Sequence, residues 1–167
     1  MEVYRIVKAR YAATLQASGQ PNRWNRKGDK VVYAGSSRAL STLEQIVHAG
    51  AVTLQEDFRV MVVTLPDAEA FYRRITLPEL PNNWRTLDAY ATLQRIGSDW
   101  ARDRETLVLQ VPSAVIPQES NWVVNTEHPD FPGQVRIDRV EDYYWDKRLL
   151  SFADRKHRPD PSPRPAG

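Results

Sequence analysis

Arg23, Tyr33 and Glu44 stand ten and eleven residues apart, in a stretch that reads successively as loop, strand and helix. Their chemistries are complementary. A guanidinium is a planar, permanently charged fork that matches phosphate oxygens, and a tyrosine ring offers a flat face for stacking. A carboxylate supplies fixed negative charge where a sugar ring would develop positive charge. The three residue types together suit a pocket for a phosphorylated ribosyl ligand.

The elements that must position them follow from periodicity. Val3–Val7 alternates as a short strand that sets Tyr4 and Ile6 against Arg5. Residues 14–30, with Gly19, Pro21, Asn22, Asn25 and Gly28, form a loop long enough to be a binding loop. Lys30–Ala34 is the next strand, and Gly35-Ser36-Ser37 combines a turn glycine with helix-capping serines. The helix expected over Arg38–Ala49, stopped by Gly50, has an apolar stripe of Ala39, Leu40, Leu43, Ile46 and Val47 that should be buried. Beside it runs a polar row, Ser37, Ser41, Glu44 and His48, spaced four, three and four residues apart.

Further along, Asp57–Leu65 is apolar enough for a central strand, and Ala68–Ile75 is ambiguous. Thr86–Asp103 reads as a helix with Ala89, Leu93, Ile96 and Trp100 inward. Thr106–Val111, Trp122–Asn125 and Val135–Tyr144 complete the candidate strands. Strands interrupted by two helices without βαβ alternation imply an α+β fold, a single domain with a mixed or split central sheet flanked by helices.

Composition narrows the chemistry. The 167 residues suffice for one core and are short for two. No cysteine and only His48, His128 and His157 leave no thiolate chemistry and little for a metal, so no metal is expected. No apolar run reaches the length of a membrane span, and Met1–Arg5 does not look like a secretory signal, so a cytoplasmic protein is expected. The net charge of +2 is concentrated in residues 155–167, where four basic residues face one aspartate (4 − 1 = +3) and leave the body at 2 − 3 = −1. Direct nucleic-acid binding is therefore not expected, because it needs basic charge clustered on the fold. Residues 153–167, basic and rich in proline, read as a disordered tail, with the domain spanning 1–152.

The ordered succession Asn22-Arg23-Trp24-Asn25, Val31-Val32-Tyr33, Leu43-Glu44, Val47-His48, Val111-Pro112-Ser113, Asn121, Asn125 and His128-Pro129-Asp130-Phe131 resembles the RES-domain family, over about residues 3–150. Pro21 stands where that family usually has glycines before the arginine. The resemblance implies a fold similar to ADP-ribosyltransferase toxins. It also implies a bacterial toxin that breaks down NAD+ by hydrolysis or phosphorolysis, and an Xre-type helix-turn-helix antitoxin as partner.

On that resemblance Glu44, Arg23, Tyr33 and Ser113 are the catalytic candidates, with Glu44 stabilising an oxocarbenium-like transition state. Ser113 is assigned as the family's serine, with Ser120 the competing choice, and as a hydrogen-bonding group in preference to a nucleophile. Arg5, Arg23, Tyr33, Ser37, His48, Asn121 and Asn125 are the candidates for holding NAD+. Two other readings stand beside this one: transfer of ADP-ribose to a protein, and a non-catalytic binding module. Five tryptophans and the Tyr143-Tyr144-Trp145 cluster are more aromatic surface than one small core requires, which leaves two readings for each, core packing or an interface, and a homodimer is among the expected partners.

Overall fold

The computed structural model describes residues 1–48, 57–146 and 148–149. Seven strands form one mixed sheet: β1 (Glu2–Lys8), β2 (Val31–Gly35), β3 (Phe58–Thr64), β4 (Tyr72–Arg74), β5 (Val108–Pro112), β6 (Ser120–Asn125) and β7 (Arg136–Tyr143). Their order is β4-β5-β6-β2-β1-β3-β7, and only the β4–β5 pair is parallel. Among the described residues three α-helices accompany them: α1 (Arg38–His48), α2 (Tyr90–Asp103) and the single turn α3 (Phe131–Gln134). The α+β class and the mixed sheet agree with the sequence expectation. The ambiguous segment 68–75 resolves into a 3-10 turn over Glu69–Phe71 and the short edge strand β4. The proline-rich tail and Gly50 lie outside the described residues.

The sheet is nearly two sheets. β1 pairs with β3 along its whole length, and β2 pairs with β6 at all five residues, yet β1 and β2 meet at the single pair Tyr4–Gly35. A glycine at that junction has a physical cause. A Cβ on Gly35 would lie 2.6 Å from Ser41 Oγ and 3.2 Å from the Ser41 amide. Its absence lets α1 settle onto the seam, where the Ser41 hydroxyl donates to the Tyr4 carbonyl at 2.7 Å.

Packing follows the same division. On one face of the sheet a continuous core joins Val3, Val7, Met61 and Val63 to Val32, Val108, Trp122 and Val124 across the seam. The remaining core is divided. One part, under α2, gathers Trp24, Leu93, Trp100, Leu109 and Val123, and the other gathers Ile6, Phe58, Val60 and Val62. Apolar residues from both parts, Ile6 on one side and Val31 on the other, wall the cavity described below.

Two expectations about burial are corrected. In α1 only Leu40 and Ser41 are buried, while Ala39, Leu43 and Val47 are exposed, Val47 at 65%. The inward face of α1 is centred on Leu40 and Ser41, with Glu44 half-buried beside them and His48 exposed at the helix end, because the helix lies over a seam whose free backbone and cleft call for polar as well as apolar partners. The tryptophans do not form a surface patch: Trp24, Trp84, Trp100 and Trp122 are at most 8% exposed. Trp145 packs edge-on against Phe58 and Tyr143, leaving Tyr144 as the exposed aromatic of its cluster.

Candidate functional site

The divergence of β1 from β2 opens a cavity of about 360 Å³, a size typical of small-molecule sites. Arg5, Tyr33, Glu44, His48 and Asn121 all line it. A recess of about 30 Å³ continues from the same residues, sharing Tyr33, Glu44, His48 and Asn121 and adding Arg23. Arginine 23 and glutamate 44 therefore border one small hollow. Packed core does not separate them.

Glu44, half-buried on α1, lines the cavity and is held by the far half of the sheet. Its Oε1 accepts hydrogen bonds from Ser113 Oγ at 2.8 Å and from Asn121 Nδ2 at 2.5 Å. Among the described residues nothing donates to Oε2, so one oxygen is anchored and the other is available. Ser113 is fully buried, and its Oγ also accepts from the Val115 and Ile116 amides at 3.0 Å each. The hydroxyl is thus engaged by one carboxylate oxygen and two backbone amides and has no exposure. Ser120, the competing serine, accepts instead from Gln110 Nε2 and does not touch Glu44.

Arg23 is presented by a rigid loop. Gly19 and Gly28 adopt positive φ angles of 68° and 102°, and the Gly28 amide donates to the Gly19 carbonyl at 2.8 Å, closing the loop's base. Within it Asn22 and Asn25 bridge each other across Arg23 and Trp24. The Asn25 amide group donates to the Gln20 and Arg26 carbonyls, and Asp29 accepts from the Arg26 amide and Ser98 Oγ. Trp24 is 2% exposed and its carbonyl lies against Gly97 of α2. The guanidinium itself donates from Nη1 to the Trp84 carbonyl at 2.9 Å and sits 4.7 Å from the Tyr90 ring centroid.

Tyr33 serves that loop directly. Its hydroxyl donates to Asn25 Oδ1 at 2.7 Å and accepts from the Trp24 amide at 3.2 Å. Burial pushes the phenol far above its ordinary range, so it stays protonated and cannot act as a base at neutral pH. With the hydroxyl committed, the ring is what Tyr33 offers the cavity. Arg5 spans the seam and donates to the Tyr33 carbonyl at 3.3 Å. Burial draws its guanidinium below its ordinary value, the signature of a charge held away from water.

The structure does not bring every candidate into the cleft. Ser37 caps α1 through the Leu40 amide at 3.0 Å and donates to Glu119 Oε2 at 3.1 Å, with Ser36 donating to the same oxygen. Asn125 is 1% exposed, donates to the Ala101 carbonyl at 2.7 Å and accepts from the Glu127 amide. Neither lines the cavity or the recess, so both are structural in this arrangement. Sequence reasoning missed Asn22, which borders both hollows, and Tyr90 and Trp84, which hold Arg23. An asparagine flanking the key arginine was a usable signal for the first. No local signal pointed to the other two.

Comparison with known proteins gives a consistent picture. A family profile described as the RES domain matches residues 2–146. The chain is 34% identical to a protein of Sphingobium sp. (strain YBL2) named Prs ADP-ribosylating toxin, covering 78% of this chain and 81% of that one. It is 31% identical to a protein of Yersinia enterocolitica named Toxin Res, covering 89% and 99% respectively. Among solved structures, the M. tuberculosis MbcT–MbcA toxin–antitoxin complex contains a chain of the same fold, with a TM-score of 0.70 at 19% identity, covering 92% of this chain and 87% of that one.

Proposed function

The chain belongs to the RES domain family, and from that membership we propose that it is the toxin of a toxin–antitoxin pair, acting by cleavage of the nicotinamide–ribose bond of NAD+. The single observation that carries the chemical part is the anchoring of Glu44: one carboxylate oxygen fixed by two donors, the other available in a cleft that also holds two guanidiniums.

The residues fit the substrate. NAD+ contributes a good leaving group, nicotinamide, and two phosphates. Arg5 and Arg23 are suited to those phosphates because neither is paired with a carboxylate among the described residues, and each is held by neutral groups that fix it without cancelling its charge. Glu44 stabilises positive charge as it grows on the sugar, and its fixed position means that no reorganisation is needed when it does so. Asn121 and Ser113 keep that carboxylate oriented. The Tyr33 ring gives the sugar or the nicotinamide a flat wall, and His48 stands at the cavity's edge one helical turn from Glu44.

The acceptor is water or phosphate in this reading. Incubating purified, antitoxin-free protein with NAD+, with and without inorganic phosphate, and weighing the products decides between them. Nicotinamide with ADP-ribose indicates hydrolysis, and a phosphorylated ADP-ribose indicates phosphorolysis. Intact NAD+ after prolonged incubation overturns the proposal and favours a binding module. A second reading, ADP-ribose transfer to a protein, is favoured by the printed name of the Sphingobium relative. A mass-labelled protein in a lysate supplied with NAD+ is its test. An Xre-type antitoxin that covers the cleft, a cytoplasmic site of action and a homodimer complete the proposal. Among the described residues no helix is long and apolar enough to cross a membrane.

A further inference from the structure

We propose that Tyr90 is a positioning residue for Arg23, setting the guanidinium's orientation through the face of its ring. This inference rests on the reading of the cleft as a dinucleotide site. It begins from an oddity in how Arg23 is held. A guanidinium at the rim of a cleft ordinarily finds a carboxylate, as Arg38, Arg74 and Arg139 do elsewhere in this molecule. Arg23 has none among the described residues. Its contacts are the Trp84 carbonyl, which takes Nη1, and the Tyr90 ring, which takes one face of the plane.

Those two contacts define an orientation. A hydrogen bond at one nitrogen leaves rotation about that bond free, and a ring beneath the plane removes it. What remains unengaged is the outer part of the fork, Nε and Nη2. Both contacts leave the positive charge intact, so it stays available for an anion.

Tyr90 is itself firmly placed. It begins α2, and two turns further along the same helix Gly97 receives the Trp24 carbonyl, so the helix that carries the ring also seats the loop that carries the guanidinium. The Tyr90 hydroxyl makes no hydrogen bond among the described residues, which assigns the contact to the ring.

The test separates ring from hydroxyl and positioning from folding. Tyr90→Leu keeps apolar volume and loses the π face, so the KM for NAD+ and the Kd for ADP-ribose should rise about five- to thirtyfold with kcat changed much less. Tyr90→Phe should restore both constants to within about twofold of the parent, because the ring is retained. A double-mutant cycle guards against a purely structural effect: in an Arg23→Gln background, Tyr90→Leu should cost almost nothing further. Equal binding by Tyr90→Leu and the parent overturns the inference, as does a Tyr90→Phe variant as impaired as Tyr90→Leu, or an undiminished Tyr90→Leu loss in the Arg23→Gln background. Failure of the parent protein to bind ADP-ribose or NAD+ at all overturns the reading of the cleft instead.

Discussion

Replacing Gly97 by alanine should damage activity far more than stability. A Cβ at that position would lie 1.9 Å from the Trp24 carbonyl oxygen and 2.8 Å from its carbon, where ordinary contact begins at 3.4 Å. Relief therefore requires the loop and α2 to separate by about 1.5 Å (3.4 − 1.9), and backbone is on the receiving side, so no side chain can swing away. Overpacking of this kind costs about 1–3 kcal/mol, while alanine in a helix interior returns about 1 kcal/mol relative to glycine. The net loss of stability should then be about 0–2 kcal/mol. The displaced segment carries Arg23 and the amide and side chain that hold the Tyr33 hydroxyl. A misplacement on the order of 1 Å at a reacting site can cost about a hundredfold in rate. Nicotinamide release should fall by about that factor in a protein that still unfolds cooperatively within a few degrees of the parent. Gly133→Ala is the control, because a Cβ there meets nothing within 4 Å. Full activity and an unchanged Tm for Gly97→Ala would refute the claim that this contact seats the loop.

Glu44→Gln keeps the shape and the Oε1 acceptor but removes the charge. The rate of NAD+ consumption should drop at least about a hundredfold while circular dichroism and Tm stay close to the parent. Arg5→Met removes a desolvated guanidinium whose one hydrogen bond among the described residues goes to a carbonyl. The thermal midpoint should be equal or higher while ADP-ribose binding measured by calorimetry is lost, and a clear drop in Tm would contradict the account of Arg5 as a charge held for a ligand. Hydrogen bonding from Arg38 and then Arg139 holds the Glu141 carboxyl at about 2 against an ordinary 4.5. A depressed carboxylate stabilises the fold above its unfolded pKa, so this contribution is complete above pH 4.5 and is lost as pH falls toward 2. The pair is exposed, so Glu141→Gln should flatten the acid arm of an unfolding-versus-pH curve by less than about 1 kcal/mol.

How much of this was legible in the sequence depends on how local each determinant is. Arg23, Tyr33 and Glu44 lie on consecutive elements, and their placement around one cleft follows from a loop, a strand and a helix that are neighbours in the chain. The two rows of α1 were visible as rows, but where the helix's buried face falls between them was not. An apolar stripe beside a polar one normally settles which side is buried, and here the seam between β1 and β2 moves the buried face to Leu40 and Ser41, one from each row. The apolar run of β3 was legible as a strand paired on both sides because both of its faces are covered, Val60 to Val63 being at most 2% exposed, although β3 stands one strand from the sheet's edge. What holds Arg23 was not legible, since the Trp84 carbonyl is 61 residues away and a carbonyl has no sequence signature. Gly97 was equally silent. A lone glycine in a helical pattern reads as a weak helix position, and the reason for it is another segment's backbone. Asn125 is the opposite case: an asparagine near a presumed site attracts a ligand role, whereas this one is 1% exposed, is held by backbone partners and lines neither hollow.

The placement of charge explains why this cleft is built as it is. Three arginines away from the cleft are neutralised in place, Arg38 and Arg139 by Glu141 and Arg74 by Glu69. Within the cleft Arg5 and Arg23 have carbonyls and a ring, and Glu44 has a hydroxyl and an amide, so among the described residues cation and anion share one hollow without pairing. A direct ion pair would be the cheaper arrangement for an empty site, because buried charge is costly unless it is paired. It would also cancel the field that the proposed reaction needs, in which phosphates are gripped at one place and positive charge grows at another. Holding the charges apart with neutral partners keeps both available, and the rigid Gly19–Gly28 loop and the Ser113–Asn121 brace are what prevent collapse. The cost in stability should be recovered when an anionic ligand enters, so a ligand carrying a pyrophosphate should raise the Tm of this protein more than its nucleoside counterpart does.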